Sequence, residues 1–180
     1  MKNKIIAFIG PDGSGKSTAI KYASFILKKK KIKFKVVYPF NYFILRKIIN
    51  SFSNKKKKYY KNSKKKGIIK FLFPMLALID AWLYFLFKIK SFNGYVLCDR
   101  YYDDLYTAYE EFNYGNKYIN LIFLKLTPKA NIKVLLTNTK EKLLKREQNG
   151  KHSLSFFKRQ ISRYNKLKNQ NTYISLEKNF

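Results

Sequence analysis

The sequence contains very little cysteine and histidine, with one of each, Cys98 and His152, among its 180 residues. A single cysteine excludes an internal disulfide framework and any multi-cysteine metal site. The single histidine has no second histidine to share a metal ion, and we expect it at the surface. These absences favour a reducing, cytoplasmic environment, and the polar first residues contain no apolar signal segment.

Acidic residues are also scarce, because 10 Asp and Glu face 39 Lys and Arg, a formal net charge of +29. No acidic residue occurs between Asp12 and Asp80, and lysine runs fall in that interval at 28–31, 55–58 and 64–66. Such a surface attracts polyanions, so a weak electrostatic association with nucleic acid or an anionic surface is one interpretation. The runs match no known nucleic-acid-binding module, which favours the other interpretation, an ordinary solvated surface.

The strongest pattern in the chain is a phosphate-binding loop, G-x-x-x-x-G-K-[ST], between a short apolar run at residues 5–9 and a stretch of helical composition. Its backbone amides are expected to face phosphate oxygens, with Lys16 at the β- and γ-phosphates and Ser17 as a Mg²⁺ ligand. The residues assigned to ATP binding on this pattern are Gly10, Pro11, Asp12, Gly13, Ser14, Gly15, Lys16, Ser17 and Thr18.

Strand-like and helix-like segments alternate along the chain. We predict strands at 5–9, 34–38, 95–98, 132–136 and 172–175, and helices at 16–29, 42–52, 68–90, 118–124, 139–147 and 153–167, with a mobile loop at 53–66. This order predicts an α/β protein with the three-layer P-loop NTPase fold, a five-stranded parallel sheet with helices on both faces. The length favours a single domain over residues 1–180.

An apolar segment at residues 71–87 is the longest in the chain and contains no lysine or arginine. As a helix it would be about 25 Å long, shorter than the roughly 30 Å hydrocarbon core of a bilayer. Pro74 and Asp80 also disfavour a membrane span, because a carboxylate in hydrocarbon is costly. We therefore predict a buried helix whose Asp80 faces the nucleotide cleft, and no membrane span.

Acidic residues gather after the third predicted strand, where Asp99 and Arg100 follow directly and Asp103, Asp104, Glu110 and Glu111 come soon after. The carboxyl ends of parallel strands share one edge of a sheet, so we expect Asp99 and Arg100 near the phosphate loop. There Asp99 can hold Mg²⁺ and Arg100 can bind a phosphate, although a helix cap with a surface arginine is the alternative. For the later acidic residues we favour solvated or lysine-paired carboxylates.

Together, residues 8–18, the Asp99-Arg100-Tyr101 sequence, Arg146-Glu147 and a terminal helix ending near Tyr164 resemble the thymidylate kinase family. The resemblance spans nearly the whole chain. It implies ATP-dependent phosphorylation of a nucleoside monophosphate, above all dTMP, in the synthesis of dTTP. ATP and Mg²⁺ are the implied cofactors, the monophosphate is the implied partner, and a homodimer is one option.

The resemblance also implies roles for individual residues. Asp12 would hydrogen-bond the 3′-hydroxyl of the acceptor sugar, and Tyr101 would pack beside that sugar. Lys16, Asp99 and Arg100 would be catalytic, with Asp99 and Ser17 serving Mg²⁺ and Arg100 also contacting the acceptor. A lid at about 145–155 would bring Arg146 over ATP.

The acceptor side departs from the family pattern. An acidic residue usually precedes the proline after the second strand, whereas this chain has Tyr38-Pro39-Phe40, and the usual arginine of the long helix is absent from residues 71–87. Phe40 is an aromatic candidate for stacking on the acceptor base. Two alternatives therefore stay open, a P-loop kinase for another small acceptor and a basic nucleotide-binding module that associates with polyanions or membranes.

Overall fold

A computed structural model describes residues 3–40, 43–45, 68–111, 114–138, 143, 154–168 and 173–177. The chain divides into two compact units, the first made of residues 1–38, 92–101 and 130–180 and the second of residues 39–91 and 102–129. The predicted helices at 42–52 and 139–147 lie outside the described residues except for residues 43–45 and Leu143. The predicted loop at 53–66 lies outside them entirely.

The first unit contains a parallel sheet with the strand order β2-β3-β1-β4-β5. Its strands are β1 (Lys4–Ile9), β2 (Phe34–Val37), β3 (Tyr95–Asp99), β4 (Ile132–Thr137) and β5 (Tyr173–Glu177), and its helices are α1 (Lys16–Lys29) and α5 (Leu154–Lys168). The predicted parallel sheet flanked by helices is confirmed, and the predicted bounds of α1 agree with those observed.

The central position of β1 explains its composition. It pairs with β3 on one side and β4 on the other, so its apolar residues are enclosed and its last three residues are all buried. On one face of the sheet, Ile20 of α1 packs in a cluster with Phe8 of β1, Leu97 of β3 and Val134 of β4. This core holds the carboxyl ends of β1 and β3, called here the carboxyl edge of the sheet, at a fixed spacing.

The described part of the second unit is mainly helical, with α2 (Ile68–Tyr84), a π-helical continuation at Phe85–Lys90, α3 (Tyr102–Glu111) and α4 (Lys117–Leu126). Asn116 is the N-cap of α4, and its side-chain oxygen accepts a hydrogen bond from the amide of Ile119 at 2.9 Å. Helix α3 is absent from the sequence prediction. Its two acidic residues in the first turn were the available signal, since carboxylates stabilise a helix N-terminus.

Helix α2 confirms a helix at the predicted position, but it is not buried on all sides. Ala77 and Ala81 are buried, whereas Leu76, Ile79 and Trp82 are between 42 and 60% exposed. These residues repeat every three or four positions, so one face of the helix is enclosed and the other is open. None of the helices in the described part of the chain has the length and hydropathy that a bilayer crossing requires.

Asp80 is held by backbone hydrogen bonds within the second unit, and its position facing a nucleotide cleft stays a prediction. Its carboxylate is 4% exposed and accepts hydrogen bonds from the backbone amides of Phe43, Ile44 and Leu45 at 2.5, 2.6 and 3.1 Å. Successive amides that donate to one carboxylate are the arrangement found where a helix begins. Asp80 therefore fixes the segment at 43–45 to α2.

Candidate active site

The loop between β1 and α1 folds as the phosphate-binding pattern requires. Gly10 has φ +141°, and a Cβ there would lie 2.2 Å from the backbone oxygen of Leu136 in β4. Gly15, the residue before α1, has φ +97° and open space around its missing Cβ. Gly10 is thus required by both conformation and space, and Gly15 by conformation alone.

Lys16 is the first residue of α1 and is only 6% exposed. Its ammonium group donates hydrogen bonds to the backbone oxygens of Gly10 and Pro11, at 2.8 and 2.7 Å. A buried charge needs such partners because the unpaired ammonium would lose its hydration. The loop thereby holds a cation within its own concave surface, where a phosphate could approach it.

Ser17 and Asp99 meet across the carboxyl edge. The Ser17 hydroxyl donates to Asp99 Oδ2 at 3.4 Å, a long contact that is open to solvent. Asp99 is the last residue of β3 and stands in register with Phe8 of β1, so the sheet itself sets this distance. A hydroxyl and a carboxylate side by side are oxygen ligands of the kind that Mg²⁺ binds.

Arg100 is held in an unusual conformation beside the loop. Its backbone φ is +66°, a region that non-glycine residues rarely adopt, and its amide donates to the Phe8 oxygen at 3.0 Å. Its guanidinium forms an ion pair with the carboxylate of Asp12. The strain at Arg100 therefore serves to aim its side chain across the loop, since strained residues persist where the surroundings fix them.

The ion pair between Asp12 and Arg100 could not be read from the sequence, in which the two residues received separate roles. The available signal was their placement, because opposite charges followed two neighbouring strands at one edge of the sheet. Asp12 is half exposed and Arg100 is about a quarter exposed, so the pair remains open to solvent. Solvent exposure limits its contribution to stability to about 1 kcal/mol or less.

These residues surround a pocket of about 440 Å³ at the carboxyl edge. A volume of this order is typical of small-molecule sites. Its lining consists of Asp12, Gly13, Gly15, Lys16, Ser17, Thr18, Asp99 and Arg100. The structure thus brings the predicted loop, the predicted metal ligands and the predicted arginine to one place.

The donor set fits a phosphate-bearing ligand better than a metal held by protein alone. Across the described ranges, no group of three or more His, Cys, Asp or Glu side chains could hold a metal ion. Mg²⁺ differs from other metals in this respect, because it usually takes one or two carboxylates and completes its shell with water and substrate phosphates. Ser17 and Asp99 fit that pattern.

Cys98 lies next to Asp99 but has no chemical role at the site. It is fully buried in β3, and this burial raises the pKa of its thiol far above the usual value, with Lys35 opposing the shift more weakly. A thiol kept protonated is a poor nucleophile. Tyr101, also almost fully buried, follows the ion-paired Arg100 as the last residue of its segment in the first unit.

The remaining predicted residues are not brought to this pocket by the described structure. Phe40 is half-buried and belongs to the second unit, and Arg146 lies outside the described residues with most of the predicted lid. Two basic residues that follow the predicted lid in sequence, Arg159 and Arg163, lie in α5. Their roles, like those of the other predicted site residues, stay predictions.

Of the four carboxylates after β3 that were expected to be solvated or lysine-paired, two are not solvated. Asp103 and Asp104 are each 1% exposed in the first turn of α3, because that turn is buried and its free amides favour negative charge. Glu110, farther along α3, accepts a hydrogen bond from the Tyr106 hydroxyl at 2.8 Å. These acidic residues thus belong to a helix of the second unit.

The fold is similar to that of known thymidylate kinases. The thymidylate kinase of Candida albicans superposes with a TM-score of 0.66 at 21% identity, over 98% of this chain and 84% of that enzyme. The thymidylate kinase of Ehrlichia chaffeensis gives a TM-score of 0.60 at 15% identity, over 98% and 87%. No protein-family model and no curated protein sequence matches the chain. The predicted resemblance to thymidylate kinases is therefore confirmed at the level of the fold.

Proposed function

We propose that this chain is a P-loop kinase that transfers the γ-phosphoryl group of ATP to a nucleoside monophosphate, with dTMP as the acceptor. The proposal includes the three-layer arrangement with helices on both faces of the sheet, and one kinase domain over residues 1–180. The observation that carries it is the convergence of Lys16, Ser17, Asp99 and Arg100 on one pocket at the carboxyl edge. Likeness in fold to two thymidylate kinases supports it.

The proposed reaction requires alignment and charge neutralisation rather than a covalent enzyme intermediate. An oxygen of the acceptor phosphate attacks the γ-phosphorus, a new P–O bond forms, and the bond to the bridging oxygen of ADP breaks. The acceptor phosphate is already ionised near neutral pH, so no protein base is needed. Negative charge that develops on the transferring group is stabilised by fixed cations.

Each pocket residue has a part in this scheme. Lys16, freed from the loop oxygens of Gly10 and Pro11, would bind the β- and γ-phosphates, and the loop amides would bind the remaining phosphate oxygens. Arg100 would contact the phosphates from the opposite side of the pocket. Ser17 and Asp99 are the residues that would hold Mg²⁺, which when bound would neutralise phosphate charge.

Asp12 is the residue proposed to bind the acceptor nucleotide. As the family resemblance implies, its carboxylate would accept a hydrogen bond from the 3′-hydroxyl of the sugar while its other oxygen keeps Arg100 in place. The ion pair supports this arrangement because one carboxylate can accept several hydrogen bonds. The same residue would then connect the acceptor sugar with the phosphate-binding arginine.

The decisive experiment is a coupled ADP-release assay with a panel of nucleoside monophosphates, in which dTMP should give the highest kcat/KM. Two matched variants then test the division of roles. Asp12→Asn should mainly raise the KM for the acceptor, by roughly 10- to 150-fold for a charge-assisted hydrogen bond of 1.5 to 3 kcal/mol. Asp99→Asn should instead lower kcat and raise the Mg²⁺ concentration needed for half-maximal rate.

The outcomes distinguish a failure of the kinase assignment from a failure of the residue roles. Absence of ADP release with every monophosphate would contradict the kinase assignment. Identical kinetic changes in Asp12→Asn and Asp99→Asn, or an effect of Asp12→Asn on ATP alone, would contradict the roles of the two residues while leaving the reaction in place.

A second acceptor class is favoured by a specific observation, the altered acceptor motif. The chain has Tyr38-Pro39-Phe40 after β2 and no arginine in residues 71–87, so two expected polar contacts to a thymidine monophosphate are missing. The Candida albicans enzyme is described as having broad substrate specificity. The same panel, extended to purine monophosphates and other small phosphorylated acceptors, decides between dTMP and this alternative.

We also propose a cytoplasmic location and a homodimer. The single cysteine, buried and protonated, is consistent with a reducing compartment. The open face of α2, with Leu76, Ile79 and Trp82, lies in the longest segment without lysine or arginine, so it is a surface where two copies of a +29 chain can meet with little charge repulsion. Sedimentation of Ile79→Lys should give a monomer, and an unchanged sedimentation coefficient would contradict the proposed interface.

A further inference from the structure

The amino ends of β1, β2 and β3 in the first unit form a positively charged surface. The amides of Tyr95 and Lys4 donate to the backbone oxygens of Lys33 and Gly94, respectively, so the starts of β2, β3 and β1 lie together, and α1 ends near the start of β2. We call this surface the basic edge. Its lysines are Lys4, Lys28, Lys29, Lys31, Lys33 and Lys35.

The acidic residues of the same unit are all elsewhere. Asp12, Asp99 and Glu177 are the carboxylate residues of its described part, and each lies at or just beyond the carboxyl end of a strand. No carboxylate among the described residues of this unit is therefore available at the basic edge. A mobile anion from solution is the natural partner of such a surface, because concentrated like charge attracts polyanions and releases their counterions when they bind.

Lysine and aromatic side chains are interleaved at the basic edge. The ammonium groups of Lys33 and Lys35 lie 5.4 and 4.7 Å from the centre of the same Phe92 ring, and that of Lys4 lies 5.8 Å from the Tyr95 ring. Two ammonium groups at one ring repel each other, although each is attracted by the ring itself. An added anion would offset this repulsion.

The exposed face of α1 extends the same pattern. Tyr22 and Phe25 are 68 and 63% exposed, and Lys29 follows on the same face of the helix, seven residues after Tyr22. From Tyr22 to Lys29 the helix covers about 10 Å, and the three strand starts add about 10 Å more. Aromatic rings and lysines therefore occur both along α1 and at the starts of the strands.

The end of α1 places a further lysine at the basic edge. The helix ends in a Schellman motif, with the amide of Ile32 donating to the Leu27 oxygen and that of Lys31 to the Lys28 oxygen. Lys31 occupies the position with φ +55°, where glycine is the usual residue. A charged, exposed side chain thus stands at a strained backbone position between α1 and β2.

We propose that the basic edge and the exposed face of α1 bind single-stranded nucleic acid, separately from the nucleotide pocket at the opposite edge of the sheet. The phosphates would lie along the lysines, and bases would stack on Tyr22 and Phe25. Exposed aromatic rings between the lysines favour a nucleic acid over an anionic membrane, since bases supply a partner for each ring. This surface does not depend on the identity of the kinase acceptor.

The test is fluorescence anisotropy with a labelled oligothymidylate of about 12 nucleotides, titrated with the full chain between about 50 and 200 mM salt. Lys29→Gln should weaken binding about fivefold at 100 mM salt and reduce the salt slope by about 0.7. Phe25→Ala should weaken binding about fivefold or more at an unchanged slope, because it removes stacking and no charge. Both variants should release ADP at the rate of the parent chain.

Matched controls decide whether the surface or the overall charge is responsible. Lys158→Gln removes the same charge from the exposed side of α5, and Tyr118→Ala removes a ring that is 76% exposed on α4. Neither should change the affinity by more than about twofold. Equal losses in the controls and the test variants would overturn the proposal, and so would binding to phosphatidylserine vesicles without binding to the oligonucleotide.

Discussion

The two edges of the sheet in the first unit both carry positively charged side chains, but the partners of these side chains differ. At the carboxyl edge Lys16 is bound by two backbone oxygens and Arg100 by Asp12, within a pocket built around glycines. At the basic edge Lys33 and Lys35 stand over the ring of Phe92, and Lys31 occupies the position suited to glycine. If the two proposals hold, fixed partners create a site with defined geometry, and interleaved charge and rings create a surface that accepts variable ligands.

The largest expected difference between the edges concerns catalysis. Lys16→Ala should lower turnover on the order of 10²- to 10³-fold, because a cation at the developing charge is lost. Lys29→Ala removes the same charge from the other end of α1 and should leave turnover unchanged. The ADP-release assay measures both, and near-parental turnover in the purified Lys16→Ala variant would contradict the role of the carboxyl edge.

A second difference concerns the glycines of the loop. Gly10→Ala should lower the free energy of unfolding by roughly 1 to 3 kcal/mol from backbone strain, and by more from the contact with the Leu136 oxygen. Gly15→Ala meets nothing within 4 Å and should cost about 1 to 2 kcal/mol, the strain alone. Urea unfolding of both variants tests this ranking, and a reversed order would be inconsistent with the described loop.

Cys98, in the strand that joins the two edges, gives a pH-dependent test. Burial raises the pKa of this thiol above its usual value of 9.0, so the folded chain keeps a proton that the unfolded chain loses. Its stabilising effect is complete below about pH 9 and decreases as the pH rises further, by about 1.4 kcal/mol at pH 10. Comparison of urea unfolding at pH 8 and pH 10 should show a smaller alkaline loss in Cys98→Ala, and equal losses would indicate an accessible thiol.

The smallest expected effect is at Lys31 of the basic edge. Lys31→Gly should raise the free energy of unfolding by up to about 1 kcal/mol, because glycine adopts φ +55° without strain. Lys31→Ala removes the charge but keeps the strain, so its stability should match that of the parent chain. Thermal unfolding of the pair separates charge from conformation, and equal stabilities of the glycine and alanine variants would argue against strain at this position.

Much of the fold could be predicted because its signals are local. Periodicity and glycines at fixed spacing predict the phosphate loop, helix α1 and the succession of strands along the chain. The position of Asp99 beside the loop follows from parallel topology. The same reasoning located the oxygen ligands proposed for Mg²⁺. These features depend on residues close in sequence or on a general rule of sheet geometry.

The features that could not be predicted join residues far apart in the chain. The ion pair of Asp12 with Arg100 depends on a strained backbone at Arg100, and no local pattern indicates positive φ at an arginine. The open face of α2 follows from what packs against it, since a uniformly apolar sequence has no polar face to mark exposure. The buried first turn of α3 likewise overrode the usual expectation that aspartates are solvated.

The three hydrogen bonds that Asp80 accepts from backbone amides have a consequence for the order in which the second unit folds. The amides of Phe43, Ile44 and Leu45 find their partner 35 to 37 residues later in the chain, on α2. Closing so long a loop costs entropy before the bonds can form, whereas α2 is built from local contacts. The segment at 43–45 is thus expected to acquire its native backbone after α2 has formed.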